Sequence, residues 1–383
     1  MSGKRSIFQE VEGPGAAPAI RPGAIDRGTG GARGAIRLWL ALLFALVVAM
    51  IAVGGMTRLT DSGLSITEWR PVTGALPPMT AADWQAEFDK YRAIPEYRLQ
   101  NRGMSLESFK VIYWWEWGHR QLGRLIGLVW AAGFLGFLAA RRIPAGWTGR
   151  LLLPGVLGGT QGAIGWWMVS SGLAGERVDV ASYRLAVHLG LAFVILGLIA
   201  WYVFQLGRSP TDLMQARRGR EARLFSMSTG LMHLAFVQIL LGALVAGIDA
   251  GRGFPTWPDM NGRFFPADAF YVPGRPVWAA FFENPGLVQF LHRMSGYALF
   301  AFGIVVWLRG RRSAHLATRR AFDWMAAMLF GQVVLGIGAV LTAAQLHVAI
   351  SHQVGAVILW VLILRARHLA QYPLAGSIRK GTA

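Results

Sequence analysis

The chain has 383 residues, 54% of them hydrophobic and only 15% charged, with no cysteine and a formal net charge of +18. The hydrophobic share and a mean hydropathy of +0.40 exclude a soluble domain with an ordinary core; the missing cysteine excludes disulfides, thiolate catalysis, iron–sulfur clusters and covalently attached c-type haem. The charge would suit a nucleic acid if it lay in patches, but it gathers in alternate loops between apolar runs, so no nucleic acid is implied and the partner is the lipid bilayer.

In chain order, residues 1–35 are rich in Gly, Pro, Ala and Arg and read as a disordered cytoplasmic tail without a signal-peptide core. Windows of about 20 apolar residues mark membrane spans. Eight are expected: 36–56, 112–140, 150–170, 183–206, 224–248, 287–308, 321–344 and 346–366. The outer loop 57–111 mixes charges and aromatics around Trp84, Tyr91 and Tyr97, a pattern for short amphipathic helices on the outer surface. A basic cytoplasmic linker, 207–223, separates an N-terminal half, 36–206, from a C-terminal half, 224–366, and a cytoplasmic tail follows over 367–383. Most of the 38 Lys and Arg fall on one face, including Arg141, Arg142 and Arg150, the arginines of the linker, and Arg309, Arg311 and Arg312. The positive-inside rule then puts both termini in the cytoplasm of a multi-pass protein. The fold class is all-α polytopic, with two pseudo-symmetric four-helix bundles.

That symmetry is written in a repeat. His119-Arg120-x-x-Gly123 in the second span is matched by His292-Arg293-x-x-Gly296 in the sixth. Gln161 with Gly165 in the third is matched by Gln332 with Gly336 in the seventh, and Asp61 to Trp69 by Asp249 to Trp257. Four histidines, His119, His188, His292 and His352, lie about five to seven residues inside the outer start of the even-numbered spans. At 1.5 Å per residue that is roughly 8–10 Å below the outer end.

Two imidazoles facing each other across a bundle suit haem iron. Zinc would be short of a third ligand at that depth. Gly118, Gly123, Gly127, Gly158, Gly159, Gly162, Gly165, Gly331, Gly336 and Gly338 would leave room for a flat macrocycle, although small residues also serve helix packing. Arg120 and Arg293 directly follow a histidine near the outer interface, where propionates would sit; snorkelling to water is the plainer role. Of the other histidines, His315 and His368 read as solvated, His233 as a packing residue, and His347 as the one competitor to His352.

One position separates the halves. Glu116 shares a helix face with His119, three residues on, and its counterpart is Gln289. An ionisable group inside a span is a functional candidate, which assigns chemistry to the N-terminal half and a resident haem to the C-terminal half.

The stretch Gly55-Met56-Thr57-Arg58-Leu59-Thr60-Asp61-Ser62-Gly63-Leu64-Ser65, continuing to Glu68-Trp69-Arg70-Pro71, with Glu116-Trp117-Gly118-His119-Arg120 and the later histidines, resembles the haem A synthase family over residues 36–366. The resemblance implies an eight-helix inner-membrane oxidoreductase that oxidises a methyl substituent of haem O to a formyl group for terminal oxidases. Two successive hydroxylations would give a geminal diol that loses water. It implies His292 and His352, with Arg293, as the haem B site; His119 and His188, with Arg120, as the substrate haem site; and Glu116 as the catalytic acid–base or charge-stabilising group. It leaves open which substrate-site histidine gives way during turnover. Some bacterial members carry a cysteine pair in their outer loops; this chain resembles the cysteine-free proteobacterial and mitochondrial branch. A haem O synthase and an electron donor are the partners such a reaction calls for, and exposed apolar faces permit a homo-oligomer. Two rivals remain: a di-haem b-type cytochrome, which would favour haems at two depths, and a repeat-built transporter, which would need broken helices and polar groups at the midplane.

Overall fold

The computed structural model describes residues 30–173, 175 and 177–374; most of the expected N-terminal tail and the end of the C-terminal one lie outside them. The described residues are helical, with a lone β-bridge between Met260 and Arg263. In chain order the helices are α1 (Gly30–Leu59), α2 (Ala81–Arg92), α3 (Pro95–Leu99), α4 (Leu106–Ala139), α5 (Thr148–Val169), α6 (Ser182–Leu206), α7 (Pro210–Arg218), α8 (Ala222–Gly247), α9 (Ala250–Gly253), α10 (Ala280–Glu283), α11 (Pro285–Gly310), α12 (Leu316–Leu341) and α13 (Leu346–Gln371).

Among the described residues, seven helices are long and apolar enough to cross a membrane: α1, α4, α6, α8, α11, α12 and α13. The third expected span is a helix, α5, but stands outside that set. It is 22 residues long with Pro154 inside it and is interrupted by glycines, which add helix length without apolar surface. The protein is thus a polytopic, all-helical membrane protein.

Local chemistry sets where the helices begin. Ser105 Oγ accepts from the Ser108 amide, starting α4 six residues before the expected span. The added turns bury Phe109, Ile112 and Tyr113 against Phe88 and Tyr91 of α2, with Trp84 and Tyr97 packed on the same cluster. The expected amphipathic outer helices are therefore α2 and α3, and α2 opens with a capping box between Thr80 and Asp83. As a result His119 lies more than three turns inside its helix, whereas His188, His292 and His352 keep the expected six or seven residues. At its far end α13 runs past the expected boundary at 366. Arg365 lies over the Phe204 ring at 5.2 Å and Arg367 over Phe225 at 4.3 Å. His368, expected to be solvated, is fully buried among Trp201, Phe204 and Tyr372. The basic residues there use apolar stems and cation–π contacts to carry the helix to the interface.

The helices pack in two like sets. In one, α1 and α5 each pack on α4 and α6; in the other, α8 and α12 each pack on α11 and α13. The sets meet across α6–α8, α6–α13 and α1–α13, around Phe193, Leu196, Trp360 and Ile363. Polar bonds tie this seam: Trp360 Nε1 donates to the Phe193 carbonyl at 3.1 Å and Gln353 Nε2 to the Ile51 carbonyl at 2.6 Å. In lipid, where apolar contact alone drives little, such bonds add specificity to packing.

Candidate functional site

Each histidine sits on one helix and is seated by the next. A Cβ added to Gly54 of α1 would lie 2.9 Å from His119 Cε1, one at Gly165 of α5 3.0 Å from His188 Cε1, and those at Gly242 of α8 and Gly336 of α12 3.1 Å from His292 and His352. Contacts that close require glycine, so the four rings share one kind of seat. Gly165 and Gly336, expected to clear space for a macrocycle, instead hold imidazoles; Gly118, Gly127, Gly158, Gly159 and Gly162 do face open space.

In the C-terminal half the rings of His292 and His352 lie edge to face, with centroids 6.4 Å apart and planes at 89°. Two imidazoles on opposite sides of one metal, each at a bond length of about 2 Å, place their ring centres about 6 Å apart. His119 of α4 and His188 of α6 hold the matching positions in the N-terminal half. The Nδ1 atoms of His119, His188 and His352 are buried with no hydrogen-bond partner. An Nδ1 with no acceptor in the protein leaves Nε2 of the same ring uncommitted, and imidazoles so placed, with open, glycine-lined space on the helices beside them, fit haem iron.

Three glutamines brace these residues. Gln161 Nε2 donates to the His188 carbonyl at 2.9 Å, Gln332 Nε2 to the His352 carbonyl at 3.1 Å, and Gln238 Nε2 to the His292 carbonyl at 3.0 Å while also lying 3.1 Å from the His292 ring. Gln238, Gly242 and Gly54 were not singled out from the sequence, although Gln238-x-x-x-Gly242 repeats the spacing seen in the third and seventh spans.

Above His119, Glu116 is 3% exposed and has both oxygens engaged. Oε2 accepts from Ser65 Oγ and from the Ile66 amide, each at 2.7 Å; Oε1 accepts from Arg120 Nε at 3.1 Å and Nη2 at 2.6 Å. Arg120 also donates to the carbonyls of Glu68 and Ile66, clamping the outer loop onto α4. The C-terminal half repeats this in neutral form: Arg293 donates to Gln289 Oε1 at 2.9 Å and to the carbonyls of Phe254 and Asp259, and Gln289 donates to Ala250. Arg293 Nε remains buried and unpartnered, a donor available to an anion such as a propionate. Beside Arg120, a cavity of about 330 Å³ lined by Glu68, Arg70, Tyr113 and Arg124 opens at the outer surface.

Arg58, in the last turn of α1, joins the halves: it pairs with Asp61 and Asp249 at 2.9 Å and with Asp179 at 3.5 Å. The three carboxylates lie close enough to hold a cation, but the guanidinium already supplies the charge. Both Asp61 and Asp249 are left-handed, with φ of 48° and 51°. His233 is exposed and bonded to the Thr229 carbonyl of its own helix, and His347 is exposed at the start of α13, so neither faces the paired rings.

Fold and site define a polytopic membrane protein carrying paired, glycine-seated histidines between its helices. The chain belongs to the cytochrome oxidase assembly protein family, whose model matches residues 37–364. It is 67% identical to a protein of Cereibacter sphaeroides named heme A synthase, over 99% of both chains. Proteins of the same name in Ruegeria pomeroyi and Dinoroseobacter shibae are 68% identical over 99% of this chain and 100% of the relative, and 65% identical over the full length of both.

Proposed function

We propose that this protein converts haem O to haem A, oxidising one porphyrin methyl to a formyl group. The observation that carries this reading is a pair of like histidine sites of which only one has a buried carboxylate, Glu116, where the other has Gln289. The family and the three relatives support it. We assign His292, His352 and Arg293 to a resident haem B, and His119 and His188 to the substrate haem O, with Arg120, expected at its propionates, instead donating to Glu116, Glu68 and Ile66 and fastening the loop beside it. α5 is taken as an eighth span completing two pseudo-symmetric four-helix bundles, with both termini cytoplasmic in the inner membrane.

When bound, haem B supplies a one-electron carrier between an external donor and the substrate site. The protein's own groups do the rest. Glu116 sets a carboxyl group beside the substrate histidines as the acid–base or charge-stabilising group, held in place by Ser65 Oγ, which donates to its Oε2 at 2.7 Å. The loop from Asp61 to Arg70, fastened by Arg120, covers the site and excludes water on the outer side. Haem O carries a long isoprenoid tail, so the glycine-lined face of α4 and α5 is its route from the bilayer.

The test is extraction and chromatography of the haems bound to purified protein from a host supplied with haem O, comparing wild type with Glu116→Ala. Haem A beside haem B in the wild type, and haem O or a hydroxylated intermediate in the variant, is the expected result. Haem B alone in both proteins would leave a di-haem b-type cytochrome.

A further inference from the structure

The histidine seats are alike in glycine but not in what lies one turn below it. Four residues before Gly165, Gly242 and Gly336 stand Gln161, Gln238 and Gln332; four residues before Gly54 stands Met50. The substitution is structural as well as sequential. Gln238 Nε2 would lie 3.3 Å from a Cβ on Gly296, and Met50 Cε would lie 3.5 Å from a Cβ on Gly123, the matching glycine four residues after the histidine. Met50 therefore occupies the glutamine's place in the α1–α4 pair.

The glutamines do two things a thioether does not. Each amide donates to the backbone carbonyl of its histidine at 2.9–3.1 Å, pinning the histidine's helix to its neighbour at the level of the ring. Each also carries a second polar atom, its Oε1, buried and without a partner. A neutral imidazole that gives Nε2 to iron carries its proton on Nδ1 and needs an acceptor there. An amide can turn its oxygen to such a proton, whereas a methionine sulfur is a weak acceptor on a flexible stem.

We infer that His119 is the displaceable ligand of the substrate site, and that Met50 makes it so by standing where the other three histidines have a glutamine. This rests on the ligand assignment above and deepens it. Both histidines of the C-terminal half are braced, which suits a cofactor that stays. In the N-terminal half only His188 is braced, so the substrate is held from one side and exposed on the side of His119.

Carbon monoxide binding to the reduced, purified full-length protein loaded with haem O reads this out without turnover. The wild type is expected to bind carbon monoxide at haem O and not at haem B. Met50→Gln should lower that affinity at least about tenfold, the scale of second-sphere effects on ligation, with haem content unchanged. Gln238→Met should make haem B reactive, and decides the matter if the first variant does not accumulate. Carbon monoxide reactivity unchanged in both variants would overturn the inference. Protein without haem in either half would instead overturn the ligand assignment beneath it, since the inference predicts changed reactivity at normal occupancy.

Discussion

The helices of the C-terminal half carry Leu291, Phe300, Leu329, Phe330 and Val333. The matching residues of the N-terminal half, in register with the histidines and with Gln161 and Gln332, are Gly118, Gly127, Gly158, Gly159 and Gly162, where an added Cβ would meet nothing within 4 Å. One half has these side chains and a glutamine for each histidine; the other has bare glycine at the same places, carries the buried carboxylate and lacks one glutamine. On the proposed assignment, one kind of seat would serve both a retained and an exchanged flat group, the difference lying in a few side chains around it.

The comparison can be broken at several depths. The largest effect is expected from His352→Ala, which should empty the C-terminal site of haem B while leaving haem O bound, as read by extraction; loss of both together would show that the halves do not bind independently. Next comes Glu116→Gln, which makes the N-terminal half resemble the other: product formation should fall by about 100-fold or more, the range of general acid–base effects, with haem O still bound. Gly158→Leu with Gly159→Phe fills the open face with the residues of α12. Haem O occupancy should drop about tenfold with haem B unchanged, since overpacking costs about 1–3 kcal/mol. The smallest effect concerns stability. Burial raises the Glu96 carboxyl from 4.5 to about 8, with the nearby Asp179 and Glu116 charges adding to it. The folded outer lobe thus holds a proton that the unfolded chain releases, so stability is highest below about 4.5 and falls as pH rises towards 8. Glu96→Gln should flatten the pH dependence of thermal unfolding across that window; an unchanged slope would remove Glu96 as its source.

Much of this was legible in the chain. Twenty-residue apolar runs have one stable form in lipid, so seven spanning helices could be placed within a few residues, and histidines inside such runs announce themselves by their cost. The third span was harder because glycine contributes length without apolarity. What stayed hidden lies between helices. Nothing local to Gly54 says that an imidazole rests on it, and nothing local to Arg120 says that its donors are committed to Glu68, Ile66 and Glu116. His368 misled for the same reason: its charged neighbours belong to the water side, while its ring faces Trp201. The glutamine signal runs through three spans, and Met50 stands out only when α1 is set in register with them.

Arg58 has a consequence for how far the chain can be divided. Its partners Asp61 and Asp249 are matching residues of the repeat, yet the position matching Arg58 is Ala246. Two identical units meeting about an axis would each bring an arginine, and the two cations would crowd the same spot. Here one guanidinium serves both aspartates, so each half supplies what the other lacks, and neither could form this junction with a copy of itself.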